Sequence, residues 1–241
     1  MDRENRRIGT VLAFPFFLLW LLASTVAYST ACIVGGMVSR RFAQFVARAW
    51  CRHLLRVIGV RMNVTGAEKL SLEKRYVFFA NHQSALDIPL LYSGLSHPLC
   101  FIAKKELFLI PFFGWGIAVV GHVRIDRSSA RNARESLARG VEHLKRHRLS
   151  LVLFPEGTRS ADGTLGEFKQ GSFALALDAG VAVVPVAIRK ANERLRKKSM
   201  IVRPGPVYLD IRDPIDPTGM EKSELARKIR EEIEKVVNSK L

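Results

Sequence analysis

The N-terminal part of the chain has the most uneven distribution of hydrophobic and polar positions, because no charged residue occurs from Ile8 to Ser39. Its richest part, Ile8 to Ile33, is longer than the roughly 20 apolar residues that a helix needs to cross a bilayer. A cleaved signal peptide is the competing interpretation, since Ser29-Thr30-Ala31 resembles a small-residue cleavage site. The uncharged stretch exceeds the hydrophobic region of such peptides, however, which is about 7–15 residues long. The pattern therefore favours a membrane-embedded helix.

The next segment, Arg40 to Val60, has the periodicity of an amphipathic helix. Its apolar stripe consists of Phe42, Phe45, Val46, Ala49, Trp50, Leu54, Val57 and Ile58. Its remaining face carries Arg41, Arg48, Arg52 and Arg56. A basic amphipathic helix beside a membrane segment is typical of a helix that lies on anionic lipid. A helix packed on a protein core, with its basic face in solvent, is the alternative.

Together these two segments predict an N-terminal membrane anchor over residues 1–60. They form either a helical pair that dips into one leaflet or a true span followed by a surface helix. Arg40 and Arg41 put the C-terminal side in the cytoplasm under the positive-inside rule. We therefore expect a membrane-bound protein whose active site lies on the cytoplasmic face.

In residues 61–241 short apolar runs alternate with helical patterns. The extended segments that we expect are Arg75–Ala80, 98–103, 117–125 (interrupted by Gly121), Leu149–Phe154, Val181–Ile188 and Val207–Ile211. The expected helices are one that begins around Asp87 to Pro89, Ser128–Arg148, Gln170–Ala179, and a last helix capped by Thr218 with Glu221. Such alternation predicts an α/β domain with a helix-flanked mixed β-sheet.

Composition and charge narrow the class of partner. The chain has 241 residues, a net charge of +16 and a pI near 10.3, so its field attracts phosphates. Nucleic acid is not the expected partner, since zinc-finger, RNP-like and recognition-helix patterns are missing from the sequence. The three cysteines, Cys32, Cys51 and Cys100, are far apart and odd in number, which favours a reduced compartment over a disulfide framework. Ligand spacing for a metal is not visible either, and we expect no cofactor.

Chemistry enters with Asn81-His82-Gln83-Ser84-Ala85-Leu86-Asp87, where the strand Arg75–Ala80 ends. An imidazole can accept the proton of an alcohol as its oxygen attacks, which contributes about 10²–10⁴ in rate. Asp87 can hold the correct tautomer of His82 and stabilise the imidazolium. The alternative functions are structural: Asp87 as the N-cap of a helix and His82 as a loop residue bonded to the backbone.

A second motif, Phe154-Pro155-Glu156-Gly157-Thr158-Arg159-Ser160, follows another expected strand. Gly157 permits an unusual backbone angle, and Arg159 offers a fork of donors suited to phosphate. Glu156 could accept a hydrogen bond from a hydroxyl group or brace Arg159. Lys105 and Arg127 are candidates for two more arms of an anion clamp. The alternative for the motif is a surface turn with a salt bridge, and for the two basic residues solvated surface charge.

These blocks, in this order, resemble the glycerolipid acyltransferase family, specifically the 1-acyl-sn-glycerol-3-phosphate (lysophosphatidate) acyltransferases. The match consists of Asn81 through Asp87, Gly121 through Arg127, Phe154 through Ser160, and Val184-Pro185-Val186. Any one block alone is weak evidence for this family, but the four blocks in this order are specific to it. His122 and Arg124 depart from the usual apolar residues, and they would either add positive charge to the acceptor site or face solvent.

The resemblance implies that His82 and Asp87 are the catalytic pair and that Arg127, Glu156, Gly157, Thr158 and Arg159 shape the acceptor site. It further implies transfer of an acyl group from acyl-CoA or acyl carrier protein to lysophosphatidic acid, with membrane lipid as a further partner. Two other functions stay open: an acyltransferase with a different lyso-lipid acceptor, and a non-catalytic peripheral membrane protein that binds anionic lipid.

Overall fold

The computed structural model describes residues 3–125 and 130–239. The helices are α1 (Arg3–Val38), α2 (Arg40–Val57), α3 (Asp87–Gly94), α4 (Phe113–Val120), α5 (Ala130–His147), α6 (Gly171–Ala179), α7 (Ala191–Arg194) and α8 (Lys222–Val237). The strands are β1 (Val60–Thr65), β2 (Val77–Ala80), β3 (Leu99–Lys104), β4 (Val123–Ile125), β5 (Ser150–Leu153), β6 (Val183–Arg189) and β7 (Gly205–Ile211). Two 3-10 turns occur at Ala67–Lys69 and Lys105–Leu109.

The strands form one mixed sheet in the order β1-β7-β6-β2-β5-β3-β4, which confirms the predicted helix-flanked mixed sheet. Neighbouring strands are parallel except for β6 and β7. The carboxyl ends of β2, β3, β4, β5 and β6 therefore meet at one edge of the sheet. In α/β proteins this edge is where ligands bind.

The sheet is buried on both faces, so its central strands are apolar throughout. In β2, Phe78 and Ala80 point into one core, which is covered by α2 and α3. Val77 and Phe79 point into the other core, where Phe79 stacks on Phe173 of α6 at a ring-centroid distance of 4.6 Å. Alternate side chains of a strand face opposite sides, and burial on both sides accounts for the continuous apolar runs that predict these strands.

Three expectations about elements are wrong. Residues 117–125 are not one extended segment: α4 runs to Val120, Gly121 (φ 105°) ends it in the left-handed region, and only β4 is extended. A short apolar run does not distinguish a buried helix from a strand, which explains the error. The predicted helix Arg40–Val60 ends at Val57, and β1, an alternating strand, begins at Val60.

The third error concerns the start of the last helix. Thr218 and Glu221 do not form a capping box, because Glu221 itself is the N-cap of α8 and makes no side-chain capping bond. The Thr218 hydroxyl instead donates to Asp216 Oδ1 at 2.7 Å, within the preceding turn. Helix α8 nevertheless buries an apolar stripe, with Leu225, Ile229 and Ile233 fully covered.

Helix α2 packs against the sheet domain through Ala43, Val46 and Leu55, whereas Phe42, Phe45 and Val57 of the predicted apolar stripe are exposed. Arg48 does not belong to the basic outer face as expected. Its guanidinium turns inward and donates to the carbonyl oxygens of Tyr92, Leu95 and His97 at 2.7–3.0 Å, which satisfies carbonyl groups at the C-terminal end of α3. The other three arginines of that face, Arg41, Arg52 and Arg56, are exposed.

Helix α1 runs beside α2 and α4, and it is long and apolar enough from Pro15 to Val38 to cross a membrane by length and composition. Only 17% of the most apolar window is buried inside the protein. Its exposed large apolar side chains include Phe16, Leu19, Leu22, Val34 and Met37. Close packing on α4 depends on Gly116, where a β-carbon would come within 3.1 Å of Ser29.

Candidate active site

Two loops meet at the carboxyl edge of the sheet. One follows β2 and contains His82, and the other follows β5 and contains Glu156; the two strands are neighbours in parallel register. The loops are joined through their main chains, because the Ser160 N–H donates to the His82 carbonyl at 2.8 Å and the His82 N–H donates to Glu156 Oε2 at 2.7 Å. The two sequence motifs therefore form one site.

The imidazole and the carboxylate of the first motif are in direct contact, with His82 Nδ1 2.7 Å from Asp87 Oδ2. The same oxygen accepts the N–H groups of Gln83 and Ser84 at 2.7 and 2.8 Å. Asp87 is the first residue of α3, and the N-cap is Leu86, so the capping alternative for Asp87 is wrong. The chain therefore folds back on itself within five residues to bring the two side chains together.

Asp87 is fully buried, and this burial raises the pKa of its carboxyl group above its ordinary value. The hydrogen bond from His82, its positive charge when protonated, and the two backbone N–H donors act in the opposite direction. The N-terminal end of α3 also favours negative charge at this position. Asp87 is thus held where a charge on the imidazole would be stabilised at short range.

The orientation of His82 leaves one nitrogen for chemistry. Because Nδ1 is bonded to Asp87, Nε2 is the ring nitrogen that can accept a proton from another molecule. The imidazole stacks on Phe154 with ring centroids 4.0 Å apart and an interplanar angle of 18°. Its side chain is 17% exposed, so it is fixed in orientation and still accessible. This arrangement suits a general base.

Glu156 braces the loop that contains His82, called the catalytic loop below. It is buried, and its second oxygen, Oε1, accepts the Gly166 N–H at 3.0 Å while Oε2 holds the His82 N–H. Burial raises the pKa of Glu156, and the two backbone donors oppose that shift. Both oxygens are thus engaged by main-chain groups, whereas the sequence suggested contact with a hydroxyl group or with Arg159.

Glu156→Gln is expected to loosen this brace. A glutamine has one acceptor oxygen, so one of the two backbone N–H groups would face an amide NH₂ and lose its partner. The free energy of unfolding should fall by about 1–3 kcal/mol. Displacement of His82 should lower kcat/KM by roughly 10- to 100-fold for a reaction in which its imidazole is the general base. Urea unfolding and steady-state kinetics measure the two effects. Glu73→Gln, at an exposed position, serves as the control, and equal behaviour of the two variants would contradict this role.

The turn after Glu156 opens a cleft of about 440 Å³, and two of its lining residues, Glu156 and Ser160, are hydrogen-bonded to the His82 main chain. Gly157 has a φ of +71°, in the left-handed region that favours glycine, and a β-carbon there would lie 3.1 Å from Lys169 Nζ. Thr158 is exposed and Arg159 is partly exposed. Both line the cleft together with Ser160, Asp162 and Lys169. The lining of the cleft thus combines the basic residues Arg159 and Lys169 with the acidic residues Glu156, Asp162 and Glu167.

Two further residues, Lys105 and Arg127, were predicted to bind an anion. Lys105 is exposed and begins the 3-10 turn directly after β3, at the same edge of the sheet. Arg127 lies outside the described residues. In the described ranges, His, Cys, Asp and Glu side chains do not form a group of three that could hold a metal ion.

The sequence suggested that His122 either adds positive charge to the acceptor site or faces solvent, and it does neither. It is buried behind the site, where Nδ1 accepts the Phe101 N–H at 3.2 Å and Nε2 is 3.1 Å from the Tyr92 hydroxyl. Burial lowers the pKa of His122 to about 3, so the ring is neutral and adds no positive charge. Arg124, in contrast, is exposed.

Sequence reasoning missed a third segment that contributes to the site. Lys197 Nζ donates to the Arg159 carbonyl at 2.6 Å, and the Ser84 hydroxyl donates to the Leu195 carbonyl at 2.8 Å. The sequence feature that could have indicated this segment is its high content of basic residues over 189–198, which begins at the last residue of β6. Since β6 is parallel to β2, this run begins at the edge where His82 lies.

The chain was compared with protein families and with known proteins. The family model described as Acyltransferase matches residues 61–189. A protein of Pseudomonas aeruginosa named 1-acyl-sn-glycerol-3-phosphate acyltransferase is 35% identical over 217 residues, which are 85% of this chain and 81% of the relative. A protein of the same name from Saccharomyces cerevisiae is 33% identical over 80% of this chain and 66% of its own length.

Other relatives are longer than this chain, which spans 49% of an Arabidopsis thaliana chloroplast protein of that name, at 38% identity. Among solved structures, the 1-acyl-sn-glycerophosphate (LPA) acyltransferase of Thermotoga maritima superimposes with a TM-score of 0.86. The match has 28% identity and covers 97% of this chain and 96% of the other. The same arrangement of helices and strands thus occurs over nearly the full length of both proteins.

Proposed function

The chain belongs to the acyltransferase family, and from this we propose that it transfers a fatty acyl group from a thioester to the sn-2 hydroxyl of 1-acyl-glycerol-3-phosphate. The product is phosphatidic acid. The observation that carries the proposal is the 2.7 Å contact between His82 Nδ1 and Asp87 Oδ2, beside the cleft of Arg159. This contact leaves Nε2 of an accessible imidazole free, in a loop hydrogen-bonded to the turn that contains Arg159, which suits an acceptor that has both a hydroxyl and a phosphate.

In the proposed reaction, His82 Nε2 takes the proton of the sn-2 hydroxyl as the oxygen attacks the carbonyl carbon of the thioester. The new C–O bond forms, the C–S bond breaks, and the thiolate leaves with the proton returned by the imidazolium. Asp87 stabilises that imidazolium while it exists. The donor is acyl-CoA or acyl carrier protein, since both present the same thioester carbonyl to the attacking oxygen.

The acceptor phosphate is proposed to bind Arg159, with Arg127 and Lys105 as further cations. Arg159→Met is therefore expected to raise KM for the acceptor about 10- to 100-fold, since a charge-assisted hydrogen bond contributes about 1.5–3 kcal/mol. KM for the donor should change little. Steady-state kinetics with each substrate varied in turn measures the split. Arg146→Met, on the exposed side of α5, is the control for loss of one positive charge, and a KM like that of this control would count against phosphate binding by Arg159.

We further propose that α1 and the exposed basic residues of α2 hold the protein at the cytoplasmic face of a membrane. The low internal burial of α1 and its exposed apolar side chains support this location. Both acyl chains of the product prefer the bilayer, so an active site at headgroup level suits the reaction. Flotation with vesicles of phosphatidylglycerol and phosphatidylethanolamine tests it: the full chain should float with the vesicles, and recovery in the soluble fraction would contradict the proposal.

The function itself is tested by a panel of substrates with the purified full-length chain in detergent. Acyl-CoA and acyl carrier protein donors are each combined with 1-acyl-glycerol-3-phosphate and with other lysophospholipids, and products are identified by mass spectrometry. We expect phosphatidic acid as the main product, with the new chain at sn-2. A main product from another acceptor would identify a different lyso-lipid acyltransferase. Vesicle binding without turnover of any thioester would identify a non-catalytic lipid-binding protein.

A further inference from the structure

The segment that follows α7 contacts both loops of the active site. Its Leu195 carbonyl accepts the Ser84 hydroxyl of the catalytic loop, and its Lys197 Nζ donates to the Arg159 carbonyl at 2.6 Å. Asn192, which lies in α7 just before this segment, donates through Nδ2 to the Asp162 carbonyl at 2.8 Å. The ammonium group of Lys197 is therefore held against the backbone of the residue whose guanidinium is assigned to the acceptor phosphate.

The positive charge of Lys197 is not neutralised by its hydrogen bond to the Arg159 carbonyl. Its side chain is partly buried, and a lysine ammonium has three protons, of which the Arg159 carbonyl takes one. Among the described residues, the neighbouring acids are engaged elsewhere: Glu193 pairs with Arg194 at 2.5 Å, and Asp162 accepts hydroxyl and backbone donors of its own loop. Within the described part of the chain, the Lys197 ammonium thus lies against the Arg159 main chain with no carboxylate paired to it.

An anionic ligand would compensate this local excess of positive charge. A phosphate monoester has a charge of about −1.5 to −2 at neutral pH because its second pKa is about 6. A phosphodiester headgroup has only one ionisable oxygen and stays at one negative charge. A site with two fixed cations therefore binds a monoester better than a diester, and a site with one cation discriminates less.

We propose that Lys197 is an acceptor-binding residue that supplies a positive charge in addition to that of Arg159 for a phosphate monoester, and that it contributes to the preference for this headgroup over phosphodiester lysolipids. The proposal rests on the proposed function, since it assigns a residue to the acceptor of that reaction. Lys197 does not take part in proton transfer, so the effect of its removal falls on acceptor binding.

The test compares Lys197→Met, Lys197→Arg and wild type in kinetics with 1-acyl-glycerol-3-phosphate and with 1-acyl-glycerophosphoglycerol. Where the diester is not turned over, its inhibition constant replaces KM. Lys197→Met should raise KM for the monoester about tenfold or more, leave kcat nearly unchanged, and affect the diester little. Lys197→Arg should keep most of the preference. Lys198→Met, an exposed neighbour, is the matched control for loss of charge.

An equal loss on both acceptors, or a fall in kcat with KM unchanged, would overturn the inference and make Lys197 a structural support of the Arg159 turn. The same holds if Lys198→Met shifts the preference as much as Lys197→Met does. These outcomes differ from failure of the proposed function, in which the wild-type protein itself makes no phosphatidic acid. Thermal unfolding of each variant shows whether the fold is retained.

Discussion

Replacing His82 with alanine is expected to lower kcat/KM for acyl transfer by about 10²–10⁴, the usual contribution of a general base. The loss should fall on kcat, because the imidazole acts on the proton of the reacting oxygen and the phosphate is bound by other residues. Phosphatidic acid formation by wild type and His82→Ala, followed by mass spectrometry at saturating substrate, measures the effect.

The fold should survive this substitution. The contacts that hold the catalytic loop to its neighbour use the His82 main chain, which alanine retains: the N–H to Glu156 and the carbonyl to Ser160. The lost contacts are the ring stacked on Phe154 and the hydrogen bond between Nδ1 and Asp87, whose carboxylate keeps its two backbone N–H donors. His147→Ala, a histidine on α5, controls for loss of an imidazole elsewhere. A folded His82→Ala protein with wild-type kcat would rule out the base assigned here.

Asp87→Asn is expected to reduce kcat nearly as much as loss of the imidazole, again about 10²–10⁴. An asparagine oxygen can still accept the Gln83 and Ser84 N–H groups, so the loop should keep its shape. It supplies no negative charge to the imidazolium that forms when His82 takes the proton. The same rate measurement applies, with urea unfolding as the test of fold.

If Asp87→Asn unfolded more easily than wild type yet kept full activity once folded, Asp87 would be a structural residue alone. The full burial of its side chain makes that comparison necessary. Asp87→Glu provides a second variant, because it restores the charge but displaces the carboxylate by one methylene group. We expect activity between those of wild type and Asp87→Asn.

The catalytic pair could be predicted from the sequence because its geometry is local. His82 and Asp87 are five residues apart, and the only structural step needed is a strand that ends in a loop before a helix. The strands β2 and β5 could also be predicted from the sequence, since continuous apolar runs are typical of strands buried on both faces. Their adjacency, which brings the two motifs into one site, comes from the structure, where β2 and β5 pair in parallel.

Other features depend on contacts between distant parts of the chain, which the pattern of residues does not contain. Arg48 has the same spacing as the exposed arginines of α2, and only packing on α3 turns it inward. Glu156 looked like a ligand-binding acid, but two backbone N–H groups that lie 74 and 10 residues away take both its oxygens. Lys197 belongs to no motif, and its role arises from where β6 delivers the segment.

The central claim is that His82 and Asp87 act as one proton-accepting unit on the acceptor hydroxyl. It is tested most directly by the rates of phosphatidic acid formation for wild type, His82→Ala, Asp87→Asn and the double variant. Residues that act as a unit are strongly non-additive. The account predicts that Asp87→Asn causes little further loss once His82 is absent. Independent losses that multiply in the double variant would contradict it.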